Sequence, residues 1–394
     1  MSKMSKLIKD PRLFFKDMLL NFKGSRRAPN LACRVFCSDF RVVFHAGDNN
    51  SNNALSHIGI WYPYFEESRV KFVILVRKLE TFELIIEKYP QANVVFAITR
   101  REVNEFFNAF SSIKACFYPS NTGNSMSLLD KTQIKHIFIG HGDSDKTSSA
   151  HKFFRVYDEN WIAGDAHRDR FLNAGFSLNG LRFVKVGRPT IKEVLEETAL
   201  DWRERFGGEL KLLYLPTWEG LYNEHDYSSL GLLRDNLIAI KNLPLKSSIK
   251  FHPLLATRER KYKNLGERLQ KENLVDVKLT KTNLNTLIKG ANLFICDISG
   301  AVSECLAANA PIFLYIPKEK GIKMAQSNMP YEKYCYLFSS PNELLGHIES
   351  VLNGDDFLAK GRLEAQEYIL GREETLDNVF VRSLKYFGED ICLE

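Results

Sequence analysis

Short apolar runs alternate with amphipathic segments along most of the chain. In the amino-terminal half, runs of strand length occur at 33–37 with 40–44, 71–76, 93–98, 115–118, 135–139, 160–163 and 182–186. Helical patterns such as 79–88 and 101–110 lie between them. The carboxy-terminal half repeats the alternation, with apolar runs at 211–215, 248–251, 275–279, 292–296 and 311–315. This alternation predicts parallel sheets that are covered by helices on both faces.

The length of the chain predicts two such sheets. A chain of 394 residues is too long for one ordinary α/β domain and fits two. We predict two Rossmann-like, doubly wound domains at 29–195 and 196–360, facing a central cleft, with a basic amphipathic segment before them at 1–28. A helical segment at 361–394 is predicted to cross back to the first domain. Ligands of such sheets bind beyond the carboxyl ends of the strands.

The first 27 residues carry the whole net charge of the chain. They hold eight basic and two acidic residues, which equals the net charge of +6 for all 394 residues. Their apolar side chains fall on one helical face: Leu7, Phe14, Phe15, Met18, Leu19 and Phe22. A helix of this kind can lie on an anionic membrane surface, and the alternative is a helix that packs on the protein's own body. Because the rest of the chain is close to neutral, a nucleic-acid-binding surface is not expected.

The cysteines and the apolar content indicate a cytoplasmic protein. The seven cysteines are scattered, odd in number and without a Cys-x-x-Cys pair, which is typical of small core residues in a reducing compartment. We expect no membrane-spanning helix, since no run of about eighteen apolar residues occurs. The amino end also lacks the apolar region of a signal peptide.

A turn of small residues follows the predicted strand 292–296. Backbone amides in such a turn can approach a phosphate, and the helix that is predicted to begin behind it, near Val302, adds a positive dipole end. A glutamate one turn into that helix is within reach of a ribose hydroxyl. This stretch is predicted to form half of a nucleotide site, with the following residues: Asp297, Ser299, Gly300, Ser303 and Glu304.

A histidine between two glycines follows the predicted strand 135–139. His141, beside Gly142, can accept a proton from an alcohol, because the free pKa of imidazole lies near neutral pH. Asp143 or Asp145 is predicted to orient the ring, and Lys146 to meet a phosphate. The alternative is a polar turn whose aspartates and serines only cap a helix.

Two further motifs follow strands of the second domain. Thr217 follows the predicted strand 211–215 and is therefore placed where it can contact a phosphate or ribose. The alternative is an ordinary turn in which Trp218 fills the core. His252 precedes Pro253 and follows Lys250 at the end of an apolar run. The proline restricts the backbone, and the imidazole can offset charge on a departing phosphate.

Together these motifs resemble the CDP-glycerol glycerophosphotransferases of the TagF and TagB type, which build teichoic acids and capsule polymers. The resemblance spans about 135–315 and rests on the following stretches: Gly140-His141-Gly142, Gly187-Arg188-Pro189, Tyr214-Leu215-Pro216-Thr217-Trp218, Lys250-Phe251-His252-Pro253 and Asp297-Ile298-Ser299-Gly300 with Glu304. It departs from the family's pattern at Gly140, where the family has tryptophan, and at Gly300, where it has a second serine. An upstream polar loop also resembles the family's Asn-rich loop and is a candidate acceptor site, or else a surface turn: Asp48, Asn49, Asn50 and Ser51.

The resemblance implies a GT-B architecture with a CDP-glycerol donor and no cofactor or metal. An acceptor hydroxyl would attack the β-phosphorus, with His141 as general base and His252 stabilising charge on the pyrophosphate. Arg188, Lys146 and Lys250 would bind phosphate. The acceptor would be a lipid-linked glycan or glycerol-phosphate chain at the inner face of the membrane.

Other functions remain open from the sequence. A related GT-B enzyme could use CMP-sialic acid, CMP-Kdo or CDP-ribitol, because a His-Pro pair and a serine turn suit other cytidine nucleotides. A UDP-sugar glycosyltransferase or epimerase fits the His-Gly loop less well. In a non-catalytic alternative, the fold only binds glycan or assembles a capsule complex.

Overall fold

The computed structural model describes residues 33–142, 150–197, 201–318, 322, 324 and 327–389. The predicted amphipathic segment at 1–28 lies outside these ranges, as does Lys146. Within them, no helix combines the length and the apolar character that crossing a bilayer requires.

In the described part of the chain, the first sheet has eight strands in the order β1-β4-β3-β2-β5-β6-β7-β8. They are β1 (Cys33–Arg34), β2 (Val42–Ala46), β3 (Phe72–Val76), β4 (Val94–Phe96), β5 (Ala115–Tyr118), β6 (Lys135–Phe138), β7 (Glu159–Ile162) and β8 (Phe183–Lys185). The strands β2 to β8 pair in parallel. Their central members are buried along their whole length and, except for His45 in β2, consist of apolar and aromatic residues, as expected for a parallel sheet covered on both faces.

The edge strand β1 differs from the prediction. It pairs antiparallel with β4, and its described part covers two residues of the predicted run 33–37. An edge strand makes hydrogen bonds on one side alone, so an apolar run does not determine its direction.

Over the residues that the structure describes, the second sheet has six strands in the order β11-β10-β9-β12-β13-β14. They are β9 (Lys211–Leu215), β10 (Lys246–Ile249), β11 (Asp276–Val277), β12 (Leu293–Asp297), β13 (Ile312–Tyr315) and β14 (Tyr336–Phe338), and all pair in parallel. The three-residue strand β14 was not predicted, because so short a run gives no clear period.

Helices cover both sheets. Those of the first half are α1 (Ser51–Ser68), α2 (Leu79–Lys88), α3 (Arg100–Ala109), α4 (Ala166–Asn173) and α5 (Lys192–Glu197). Those that follow are α6 (Leu233–Ile240), α7 (Leu265–Lys271), α8 (Leu284–Lys289), α9 (Gly300–Leu306), α10 (Pro341–Leu352), α11 (Ala359–Leu370), α12 (Arg372–Leu376) and α13 (Val379–Tyr386). Buried side chains of the described residues form one core around the second sheet and one on each face of the first sheet.

Each sheet has one point where the strand order reverses. In the first sheet β2 and β5 are neighbours, and the chain runs outward from them in opposite directions. In the second sheet β9 and β12 are the corresponding pair. Loops that leave such a pair at the carboxyl ends diverge and open a crevice between them. The motifs found in the sequence follow these strands or their neighbours.

The helix α13 covers the first sheet, although it comes last in the chain. Phe380 stacks on Trp61 of α1 with 4.7 Å between ring centroids and belongs to the core of that sheet. Close contact also occurs where Gly187, with φ of +72°, passes Thr375, because a Cβ atom at position 187 would collide with the backbone there. The predicted domain limits stay predictions.

Candidate functional site

His141 follows β6, next to the reversal point of the first sheet. Its Nδ1 lies 2.7 Å from the carbonyl oxygen of Pro119, which follows β5. A carbonyl oxygen only accepts, so Nδ1 carries the hydrogen and Nε2 keeps its lone pair. The preceding Gly140 has φ of +65°, a conformation that glycine adopts without steric cost. Its carbonyl accepts a 2.6 Å hydrogen bond from Trp61 Nε1.

A second histidine lies on the face of the first. His57, in α1, stacks on His141 with 3.8 Å between centroids and 17° between planes. Its Nδ1 is 3.2 Å from Asp48 Oδ2, and the same oxygen accepts a 2.8 Å hydrogen bond from Ser120. Thus the loops after β2, β5 and β6 and the first helix meet at one place.

The electrostatics of this cluster keep His141 neutral and Asp48 charged. The pKa of His141 is lowered to about 4, first because protein atoms displace water from the ring and then because of His57, although part of the residue stays exposed. Burial alone would raise the pKa of Asp48, but hydrogen bonds from His57 and Ser120 lower it overall. At neutral pH His141 is therefore in the form that accepts a proton.

The other residues of the Asn-rich stretch make structural contacts. Asn50 caps α1, and its side chain accepts from the backbone of the first turn. Ser51 is not in a loop as predicted: it begins α1, is buried, and donates to Glu80 at 3.0 Å. Asn49 accepts from Asn124 at 3.3 Å. An acceptor-binding role stays a prediction for this stretch, and Asp48 alone of its four residues contacts the histidine pair.

At the reversal point of the second sheet, Asp297 joins the two diverging loops. Its Oδ2 accepts from the backbone N–H of Thr217, at 2.8 Å, and of Ser229, at 3.0 Å. The carboxylate has no exposed surface. Asp297 Oδ2 therefore binds protein backbone and shapes the turn, and the predicted contact of this residue with the nucleotide stays a prediction. Thr217 itself is 3% exposed.

The small-residue turn begins the helix earlier than predicted. Ser299 caps α9, with its hydroxyl accepting from Ala301 N–H. Gly300 is the first helical residue, where the sequence suggested a start near Val302. Ser299 and Gly300 are half-buried, and Ser303 is buried.

His252 stands beside Trp218, with the two rings nearly parallel at 6.1 Å. Its Nδ1 accepts from Leu254 N–H at 3.1 Å, so Nε2 carries the hydrogen in the neutral ring. Lys250 is half-buried, and burial lowers its pKa. Pro253 is exposed.

Arg188 and Glu304 connect the two halves. Arg188 follows β8, and its Nε donates to Glu304 Oε1 in α9 at 2.8 Å, with a second bond from the guanidinium to the same oxygen. Both side chains are about nine-tenths buried. Arg188 is also among the charges that lower the pKa of His141, so the pair lies near the histidine cluster. The two residues predicted to bind phosphate and ribose therefore bind each other in this structure.

Comparison with solved structures identifies the fold of this chain. No protein-family model matches the sequence, and no curated protein matches it. Among solved structures, a variant of the wall teichoic acid polymerase TagF has a TM-score of 0.57 at 12% identity, with 99% of this chain and 98% of that chain covered. HepE of Anabaena, in complex with UDP and glucose, has a TM-score of 0.54 at 12% identity, with 87% and 99% covered. The UDP-GlcNAc 2-epimerase of Methanocaldococcus jannaschii has the same TM-score and identity, with 88% and 100% covered.

The fold is GT-B.

The predicted fold class is thus confirmed. In this GT-B chain, the two reversal points carry the two groups of motif residues, and Arg188 with Glu304 lies between them. Asp143 and Asp145 lie outside the described residues, and the contact that orients His141 comes from Pro119. In the described ranges, no group of three His, Cys, Asp or Glu side chains is arranged to hold a metal ion.

In this GT-B protein, His57 and Glu219 were not predicted as site residues from the sequence. His57 and Trp61 are four residues apart and so share a helical face, but the helix was not predicted. Glu219 is fully buried, and its carboxylate accepts from the backbone N–H groups of Ala256, Arg258 and Glu259 at 3.2, 2.7 and 2.9 Å. It holds the loop that follows His252.

Proposed function

We propose that this GT-B protein is an enzyme that transfers glycerol phosphate from CDP-glycerol to a hydroxyl of a lipid-anchored glycan or glycerol-phosphate chain, as a member of the CDP-glycerol glycerophosphotransferase family. The product would be a phosphodiester in a capsule or teichoic-acid-like polymer. The observation that carries the proposal is the hydrogen bond from His141 Nδ1 to Pro119. It leaves Nε2 as a base in the crevice where an acceptor is expected.

The proposed reaction balances as a single displacement. The acceptor oxygen attacks the β-phosphorus of CDP-glycerol, and its proton passes to His141 Nε2. The new oxygen–phosphorus bond forms as the bond from the β-phosphorus to the bridging oxygen breaks, and CMP leaves. A positioned base of this kind contributes about a hundredfold to ten-thousandfold in rate.

The donor would occupy the second reversal point. His252 can donate from Nε2 to the pyrophosphate, since its Nδ1 is taken by Leu254 N–H. The turn at Ser299 and Gly300 would contact the phosphates. Ser303, Thr217 and Gly142 would also bind the nucleotide or its phosphates. Arg188 and Glu304 would lose part of the hydrogen bonding between them when the donor binds. Arg188 would then bind phosphate, and Glu304 would bind ribose.

The fold neighbours are compatible with more than one donor. One TagF structure is described with CDPG, at 13% identity to this chain, and HepE is described with UDP and glucose. Sugar transfer from a nucleotide sugar is therefore the second candidate. The motifs around His141 and His252 favour the glycerophosphotransferase.

A membrane-bound acceptor agrees with the basic residues at 1–27. We propose that this segment binds the inner face of the cell membrane. The full chain would then sediment with phosphatidylglycerol vesicles at low salt but not with phosphatidylcholine vesicles. Equal sedimentation with both would argue against the proposal.

The experiment is CMP release from CDP-glycerol, measured with a panel of glycan and glycerol-phosphate acceptors. We expect release that requires an acceptor and falls at least about a hundredfold in His141→Ala. His347→Gln serves as the matched control, because this histidine lies in α10 and contacts the carbonyl of Leu337. Turnover of a CMP-sugar, CDP-ribitol or UDP-sugar in place of CDP-glycerol would show that CDP-glycerol is not the donor, and it would leave the fold assignment unchanged. An equal rate of CMP release in wild type and His141→Ala would show that His141 is not the general base.

A further inference from the structure

The first helix holds the His141 loop with two side chains one turn apart. Trp61 donates to the carbonyl of Gly140 at 2.6 Å, and His57, four residues earlier, stacks on His141 at 3.8 Å. Residues four apart on a helix lie on one face. The helix α1 therefore contacts two consecutive loop residues, Gly140 through its backbone carbonyl and His141 through its imidazole.

His57 is itself held in place. Its Nδ1 lies 3.2 Å from Asp48 Oδ2, and that carboxylate is fixed by the hydroxyl of Ser120 at 2.8 Å. The side chains of His57 and Asp48 are 15% and 13% exposed. Because an ionised carboxylate accepts, Nδ1 of His57 carries its hydrogen, as Nδ1 of His141 does.

We infer that His57, anchored by Asp48, is a positioning residue that sets the plane of the catalytic imidazole of His141, and that Asp48 balances the charge that this imidazole gains. The inference depends on the proposed function in one respect, namely that His141 is the base. Sequence motifs did not assign a role to His57.

The positioning role follows from the geometry. The bond to Pro119 fixes one atom of the His141 ring but leaves the ring free to turn about that contact. A parallel ring at 3.8 Å blocks this rotation on one face. A base displaced by about 1 Å can lose about a hundredfold in rate, so a blocked rotation matters for proton transfer.

The charge-balancing role follows from the groups around the ring. Among the described residues, the charged and titratable groups that act on His141 are His57 from α1, Asp48 from the loop after β2, and Arg188 from the turn after β8. His57 and Arg188 lower the pKa of His141, while Asp48 raises it. Proton transfer from the acceptor puts a positive charge on His141, and the carboxylate of Asp48 stabilises that charge.

A structural role alone would give different results. If His57 only packed the helix against the loop, then its replacement by a ring of similar size would leave the titration of His141 unchanged. His57→Phe keeps an aromatic face and loses the Asp48 contact, whereas His57→Ala loses both. Asp48→Asn keeps an acceptor for His57 and Ser120 but removes the charge.

The test is a titration of His141 by NMR of ring-labelled histidine in the full chain without substrate, with the signal assigned by His141→Gln. We expect the pKa of His141 to rise in His57→Phe and to fall in Asp48→Asn. The neutral ring should carry its hydrogen on Nδ1 in wild type at pH 7. His347→Gln, remote from the cluster, should leave the titration unchanged.

The pH profile of kcat supplies the second measurement. The acidic limb should move to higher pH in His57→Phe and to lower pH in Asp48→Asn, and His57→Ala should lower kcat about tenfold to a hundredfold with little change in the KM for donor. Identical titration in wild type, His57→Phe and Asp48→Asn would overturn the inference. Opposite shifts without turnover of CDP-glycerol would support it and would count against the proposed donor only.

Discussion

His45 is a buried imidazole that the proposed reaction does not use. It is the next-to-last residue of β2, is 1% exposed, and lacks a hydrogen-bond partner for either ring nitrogen among the described residues. Its pKa is lowered to about 3, first by burial and next by the charge of Arg77, against an opposing effect of Asp48. The folded protein therefore keeps His45 neutral over a range in which the unfolded chain would protonate it.

This residue predicts acid sensitivity. Below pH 6.5 the unfolded state binds a proton at His45 that the folded state does not bind until about pH 3. The free energy of unfolding therefore falls as pH falls through that window, by up to about 1.4 kcal/mol per pH unit for this residue. His45→Leu should flatten the dependence. Urea unfolding at pH 7, 6 and 5 compares the two proteins, and parallel slopes would contradict the prediction.

At the scale of elements, the loop after β10 depends on a side chain from the loop after β9. Glu219 accepts from three backbone N–H groups of that loop, including Ala256, which has φ of +64°. A residue other than glycine in this conformation is held there by its surroundings. The carboxylate thus sets the shape of the chain that follows His252.

Glu219→Gln should loosen this loop. The amide offers one acceptor oxygen in place of two and brings an N–H group among donors, so we expect a loss of about 2 kcal/mol in the free energy of unfolding. The KM for CDP-glycerol should rise more than kcat falls, because the loop and not the base is disturbed. Glu224→Gln is the control, because Glu224 lies with Glu219 in the loop after β9 and is exposed. Equal effects of the two substitutions on KM would refute the role of Glu219.

Elements with long apolar runs could be predicted closely from the sequence. The predicted strands 115–118 and 211–215 and the helix 79–88 coincide with β5, β9 and α2. The helix α1 was missed, because it starts in an Asn-rich stretch that is typical of turns and contains Pro63.

The site residues that could be predicted from the sequence were likewise those that belong to a clear local pattern. His141 was found because glycines flank it directly after a strand. His57 depended on recognising α1, and Pro119 contributes a backbone carbonyl that no side-chain pattern reveals. The pairing of Arg188 with Glu304 joins residues 116 apart in sequence, and local periodicity carries no information about such a contact.

At the scale of the whole molecule, the Arg188–Glu304 pair joins the two halves of the GT-B fold. It is about nine-tenths buried on both sides, so removing one partner leaves the other charge desolvated. Breaking such a pair typically costs about 3 to 5 kcal/mol. The stability of the interface thus depends on residues that are also proposed to bind the donor.

A double-mutant cycle tests this coupling. We expect Arg188→Met and Glu304→Gln each to lower the free energy of unfolding by about 3 kcal/mol, and the double variant to lose clearly less than the sum. The exposed pair Arg234 and Glu272, joined at 2.8 Å within the second half, is the control and should couple by less than about 1 kcal/mol. Additive effects at Arg188 and Glu304 would show that the contact contributes no coupling.

The position of α13 determines when the first half can finish folding during synthesis. The side chains of Phe380, Val381, Leu384 and Phe387 belong to the core of the first sheet, whose last strand ends at Lys185. A nascent chain that has completed β8 therefore still exposes apolar surface on that sheet. Until residue 387 has left the ribosome, this surface needs protection from other chains, and a translational pause in the second half prolongs that need.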